Sequence, residues 1–140
     1  MKGYKGMPDE TANTLKDGWV YTGDIATMDD EGYFYIVDRK KDMLVSGGEN
    51  IYPREVEEVL YAHPEILDAA VVGVPDETWR ECVKAFVVRK PGSSLDPQGV
   101  IDYCRSRLAS YKKPKFVQFL DNIPRSPSGK ALKNRLRRMA

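Results

Sequence analysis

A chain of 140 residues is long enough to close one hydrophobic core without covalent help. Its two cysteines, Cys82 and Cys104, form no C-x-x-C pair and have no second ligand nearby in sequence, which excludes a disulfide framework and argues against a metal site. No stretch approaches the roughly 20 apolar residues of a membrane span, and Met1-Lys2-Gly3-Tyr4 lacks the apolar core of a signal peptide, so a soluble, cytoplasmic protein with no transmembrane segment is expected.

The net charge of +1 conceals an asymmetry. From Lys112 to Ala140 there are nine Lys or Arg against one acid, Asp121, whereas the remainder carries a net −7. A basic tail of this kind suits nucleic acid, an anionic membrane or a polyphosphate ligand, and the charge alone does not choose among them.

Along the chain, Trp19-Val20-Tyr21 and Tyr33 to Val37 read as strands joined through Asp29-Asp30-Glu31-Gly32. Five consecutive charges, Asp38-Arg39-Lys40-Lys41-Asp42, interrupt the apolar pattern, read as excluded from any core, and mark the boundary. Residues 1–38 form one expected segment, 39–42 a linker, and 43–140 a domain. Met43-Leu44-Val45 reads as a short strand ending at Ser46-Gly47-Gly48, with a helix next: Pro53 suits its first turn, Val56, Val59 and Leu60 share a face, and His63-Pro64 ends it. Leu67 to Val74 and Glu81 to Arg89 read as buried strands, the first closed by Pro75-Asp76. Asp96-Pro97 opens a helix with Val100, Ile101, Cys104 and Leu108 on one stripe, and Phe116 to Leu120 gives another strand. Pro124 to Lys130 is too rich in Pro, Ser and Gly to be regular, and a basic helix is expected over residues 131–139, with Lys130 where loop becomes helix. The class is α+β: a small central sheet flanked by helices and preceded by a β-hairpin.

Several residues permit chemistry on physical grounds. Asp24, after a Thr-Gly turn, can satisfy its own turn or accept two hydrogen bonds from vicinal hydroxyls. Arg39 offers a planar fork of donors. Ser46-Gly47-Gly48 makes a tight turn or leaves room for a ligand beside its backbone. Tyr111-Lys112-Lys113-Pro114-Lys115 combines a stacking ring with cations, or is a solvated basic turn.

Four separated segments together carry a resemblance: Gly18 to Asp24, Gly32-Tyr33-Phe34 through Asp42, Ser46 to Pro53 with Glu55 and Glu57 following, and Pro124 to Lys130. In order and spacing they resemble the adenylate-forming superfamily of acyl- and aryl-CoA synthetases, luciferase and nonribosomal-peptide adenylation domains, over nearly the whole chain. The resemblance implies that residues 1–38 are the tail of a large N-terminal AMP-binding domain, 39–42 a hinge, and 43–140 the mobile C-terminal domain. Activity would be ligation of a carboxylic acid to CoA with ATP and Mg²⁺, the Mg²⁺ held mainly through ATP and the N-terminal domain, AMP and pyrophosphate leaving. A fatty acid is the expected substrate, with a 4-coumarate-like aryl acid as alternative, and the isolated chain is expected to be inactive. By the same resemblance Lys130 is the catalytic adenylation lysine, Asp24 and Arg39 bind the nucleotide, and Lys41 is the pivot. Ser46, Gly47 and Gly48 then face pantetheine, and Tyr111, Lys113 and Lys115 meet the CoA nucleotide. Val45 stands where luciferase has its second lysine, which argues against oxidative chemistry. Pro124 to Lys130 also matches a pattern modified by lysine acetyltransferases in some relatives. The competing readings are a nucleic-acid-binding module, disfavoured because the tail has no interleaved surface aromatic beyond Tyr111, and a truncated regulatory protein.

Overall fold

The computed structural model describes all 140 residues, which divide into two compact units, Met1–Lys41 and Asp42–Ala140. In the first, helix α1 (Pro8–Thr14) starts on a proline with Asp9 and Glu10 in its first turn, where carboxylates suit the helix dipole, and buries no side chain. Strand β1 (Leu15–Lys16) returns as β2 (Trp19–Val20) through Asp17-Gly18, both at positive φ, as a two-residue hairpin turn requires. Strands β3 (Asp24–Met28) and β4 (Phe34–Arg39) form a second hairpin. Its connection is gathered by Asp29, whose carboxylate accepts from the backbone N–H of Glu31 and Tyr33 and from the Tyr35 hydroxyl, at 3.0, 2.9 and 2.8 Å.

Two expectations are corrected here. Trp19 does not pair with the Tyr33 strand, because the Asp17-Gly18 turn folds it back on Leu15; the partner of β4 is Asp24–Met28, whose mixed pattern gives little strand signal. Nor is the charged run wholly outside the fold: β4 continues through Asp38, which is buried, and its carboxylate accepts from the Arg39 N–H at 2.7 Å. The outward residues of this unit are unusually apolar, with Trp19, Tyr33 and Phe34 all more than 60% exposed.

The second unit opens with β5 (Leu44–Ser46) and β6 (Glu49–Ile51), a hairpin turning at Gly47-Gly48, both again at positive φ. Strand β6 thus fills the interval between the glycines and Pro53, where no element is expected, and the next helix begins at Pro53 as the sequence implies. Helix α2 (Pro53–Tyr61) leads to β7 (Ile66–Asp76), which runs antiparallel to β8 (Arg80–Arg89). Helix α3 (Pro97–Arg105), capped by Asp96 accepting from the Gly99 N–H at 2.7 Å, carries the chain to β9 (Phe116–Phe119), parallel to β8. The sheet order is β7-β8-β9, so β8 is central and both its faces are covered. Val71, Val83, Ala85 and Val87 pack under α2 and α3 through Val56, Leu60, Val100 and Cys104. On the other face Ala70, Val72, Cys82, Phe86 and Val88 meet Ile123 and Leu136. No helix is long and apolar enough to cross a membrane.

Leu67 departs from the buried run expected of its strand: a register shift between Ile66 and Asp68 leaves it 58% exposed. Strand β7 also continues through Pro75 and Asp76 rather than stopping before them. The basic helix is only α4 (Lys133–Arg137), because Ala131 bridges to Arg125 and the Leu132 N–H bonds the Pro124 carbonyl, prolonging a hairpin at the helix's expense. Its cations are not simply solvated. Lys133 pairs with Glu57 at 2.9 Å, the two side chains only 14% and 17% exposed, and Arg137 pairs with Asp42 at 3.3 Å.

Leu136 is the one buried residue of α4 and is fully enclosed. Leu136→Ala should lower stability by about 2–4 kcal/mol, whereas exposed Arg135→Ala should change it by less than about 0.5 kcal/mol, as read from urea unfolding of the 140-residue chain.

Candidate functional site

In the first unit, neighbouring strands bring Asp24 and Arg39 into register, with Arg39 Nε 3.4 Å from Asp24 Oδ1. The contact uses one edge of the guanidinium; both Nη groups and the second carboxylate oxygen stay available, and both residues face solvent in part. Together they offer donors and acceptors to one polar ligand. Lys41 is the last residue of this unit.

In the second unit a cavity of about 510 Å³ gathers Ser46, Gly47, Tyr111, Lys113 and Lys115; Gly48 does not line it. Gly47 meets Trp79, also in the lining: its N–H donates to the Trp79 carbonyl at 3.2 Å, and a Cβ at this position would lie 2.7 Å from Trp79 Cε3. At φ +58 the position is also costly for an L side chain, so glycine is required twice over, by conformation and by the indole wall.

The turn that carries the indole is set by Asp76, one of whose carboxylate oxygens accepts from the backbone N–H groups of Thr78 and Trp79 at 3.1 and 3.0 Å. Its other oxygen pairs with Lys115, and this bond, followed by the Trp79 N–H, holds the Asp76 carboxyl down at about 2. The cations of the Tyr111–Lys115 segment therefore differ in role. Lys112 is committed to both oxygens of Glu55 at 2.7 and 2.8 Å, Lys115 is tied to Asp76, and Lys113 alone has no protein partner. Tyr111 is 41% exposed, with the Lys112 ammonium over its ring at 5.7 Å from the centroid. Cys82 also lines the cavity, but burial pushes its thiol up to about 11, so it is a neutral wall rather than a nucleophile.

Lys130 lies outside that cavity. It sits in a tight turn, not at a loop-to-helix junction: the Ser126 N–H donates to the Lys130 carbonyl at 2.8 Å, the Gly129 N–H to the Ser126 carbonyl at 2.8 Å, and the Lys130 N–H to Ser126 Oγ at 3.2 Å. Gly129 takes φ +81. The backbone is thus fixed while the Lys130 amine, exposed, has no protein partner. Arg125 ties the turn to β7, reaching the Gly129 carbonyl at 2.7 Å and Asp68 at 2.6 Å. No three acidic, histidine or cysteine side chains converge as a metal site.

Sequence reasoning missed Trp79 and Asp76. Pro75-Asp76 reads only as the end of a strand and residues 77–79 carry no reading of their own; the available signal was an indole in a polar turn behind an aspartate that can cap it.

The profile of the AMP-binding enzyme C-terminal domain matches residues 55–130. The chain belongs to this family. Over 99% of its length it is 54% identical to a feruloyl-CoA synthase of Amycolatopsis sp, spanning 28% of that protein. Over 97% it is 54% identical to a long-chain-fatty-acid–CoA ligase of Bacillus subtilis (strain 168), spanning 24%. The crystal structure of ATP-bound MatB from Rhodopseudomonas palustris superposes with a TM-score of 0.90 at 40% identity, covering 99% of this chain and 28% of that one. The chain therefore spans about a quarter of the length of these relatives.

Because the Asp76 carboxyl is depressed from 3.8 to about 2, the stability it contributes is complete above 3.8 and lost as pH falls through about 2. Asp76→Asn should flatten the acid limb of the stability curve in that window, and a carboxyl NMR titration of the parent should find Asp76 protonating at about 2.

Proposed function

We propose that the chain is the C-terminal part of an ATP-dependent ligase that joins a carboxylic acid to CoA, releasing AMP and pyrophosphate, in two half-reactions. The observation that carries this reading is the separation of two candidate sites along one strand. Asp68 anchors the Lys130 turn and Asp76 the Trp79 cavity, from opposite ends of β7. At about 3.3 Å per residue the two aspartates are about 25 Å apart. One reaction centre cannot meet both sites at once, so a unit serving both must turn between the half-reactions. Lys41, where the units divide, is the proposed pivot.

In the first half-reaction a carboxylate oxygen approaches an already anionic α-phosphate. Two unit charges about 4 Å apart repel by about 1 kcal/mol in water and about 4 kcal/mol at an effective dielectric of 20. An amine with no competing protein partner, carried on a fixed turn, can bridge both groups and stabilise the charge that develops as pyrophosphate leaves; Lys130 meets that requirement. Asp24 and Arg39 suit the nucleotide, the carboxylate toward ribose hydroxyls and the free Nη groups toward other polar atoms. Mg²⁺ is assigned to ATP and to a larger N-terminal domain.

In the second half-reaction a CoA thiol attacks the acyl carbon of the acyl-adenylate, loses its proton and expels AMP. Tyr111 and Trp79 suit stacking on adenine, Lys113 supplies an uncommitted cation for phosphate, and Gly47 leaves the backbone bare for pantetheine. Equal identity to a fatty-acid ligase and a feruloyl-CoA synthase supports a fatty acid and an aryl acid alike, and neither the cavity nor the Lys130 turn discriminates between them. An amine on an exposed turn also suits a lysine acetyltransferase, and acetylation would remove the charge on which adenylation depends. The 140-residue chain alone should form no acyl-adenylate with ATP, Mg²⁺ and any acid.

Within the complete ligase, Lys130→Ala should slow adenylation roughly 10²- to 10³-fold yet spare thioester formation from supplied acyl-adenylate. Gly47→Leu should do the converse, by strain and collision with Trp79. Pyrophosphate release and acyl-CoA formation, timed separately, decide this; equal losses in both steps for Lys130→Ala would overturn the two-site reading.

A further inference from the structure

The Lys130 turn is exposed from Pro127 to Lys130, and its own hydrogen bonds fix its shape without fixing where it points. What aims it is a second set of contacts. At the start of β7 the register shift at Leu67 turns that apolar side chain outward and leaves Asp68 beside the turn, partly buried. Both Asp68 oxygens receive Arg125, Nη2 at 2.6 Å and Nε at 3.3 Å. The Tyr61 hydroxyl, at the end of α2, lies 2.7 Å from Asp68 Oδ1 and 3.4 Å from Arg125 Nη2. The opposite corner of the same guanidinium, Nη1, donates to the Gly129 carbonyl at 2.7 Å, in the peptide that joins Gly129 to Lys130. One rigid plane therefore spans from the sheet to the peptide that carries the lysine.

Resting on the adenylation role given above to Lys130, we infer that Arg125, clamped by Asp68 and steadied by Tyr61, is a positioning residue that sets the reach of the Lys130 amine toward the reacting carboxylate and phosphate. The chemistry requires arginine. The fork holds a carboxylate along its Nε/Nη2 edge and still presents Nη1 to a carbonyl in another direction, whereas a lysine ammonium is a single point on a flexible stem and cannot fix both directions together. Burial of Tyr61, with the Asp68 bond adding to it, pushes its phenol upward, so it remains a hydroxyl donor throughout the working range. Arg125 touches no substrate in this scheme. It acts through the Gly129 peptide.

The test has two arms. In the 140-residue chain, Arg125→Met should speed amide exchange at Ser126, Gly129 and Lys130 on the order of tenfold while amides in the centre of β7 keep their protection. In the complete ligase, Arg125→Met should lower kcat of adenylation by roughly 10- to 10²-fold, the scale of a misplacement of about 1 Å, with KM for ATP and acid within about twofold and thioester formation from supplied acyl-adenylate unchanged. Arg125→Lys should recover only part of the loss, and Asp68→Asn, which keeps the arginine but loosens its clamp, should lose less than Arg125→Met in the same half-reaction. Equal losses in both half-reactions, complete rescue by Arg125→Lys, or unchanged adenylation in Arg125→Met beside a crippled Lys130→Ala would each overturn the positioning role and leave the lysine's role standing. An unimpaired Lys130→Ala would instead overturn the adenylation reading, and the positioning role with it.

Discussion

Strand β7 is bonded to β8 along one edge only, and the chain's answer to its other edge organises the second unit. An unpaired edge leaves backbone donors and acceptors that must be met by something, or they recruit another chain. Glu57 of α2 takes the Val71 N–H at 2.9 Å, and the Tyr61 hydroxyl lies 2.9 Å from the Ala69 carbonyl. Glu57 then binds Lys133, so the same carboxylate that covers the edge also docks α4. Because these groups are partly buried, each ion pair here is also a set of satisfied hydrogen bonds, which is the condition under which removing one partner becomes expensive.

The two ends of β7 extend this logic to the candidate sites. Asp68 and Asp76 are each the hub of several hydrogen bonds, and each holds a basic residue from the distant tail, Arg125 and Lys115. A strand is a stiff spacer, so it fixes the separation of the two sites while the loops they hold remain chemically adaptable.

Seen this way the basic tail is not one electrostatic patch. Five of its nine cations, Lys112, Lys115, Arg125, Lys133 and Arg137, are committed to carboxylates of the same unit. That commitment leaves Lys113 in the cavity and Lys130 on the turn as unpaired amines at the two candidate sites. A site for a polyphosphate needs cations whose charge is not already neutralised, and a fold needs cations that are. The tail supplies both.

The linear pattern was enough for the α+β class, the buried strands of the second unit and the Asp96 cap. Each of these depends on contacts within a few residues or on apolar periodicity, which a linear pattern records. It misread the first hairpin, because a two-residue Asp-Gly turn outcompeted the more apolar pairing, and it missed β6, because three residues carry too little pattern to register. It did not separate Lys115 from Lys113, both expected at the CoA nucleotide, since neighbouring lysines look alike until a carboxylate from elsewhere claims one; Asp76 lies 39 residues from Lys115. Trp79 beside Gly47 and Arg125 on Asp68 were decided only by tertiary structure. Their contacts join positions far apart in the chain, and such proximity exists only once the sheet has formed and set the two ends of β7 against the loops they hold.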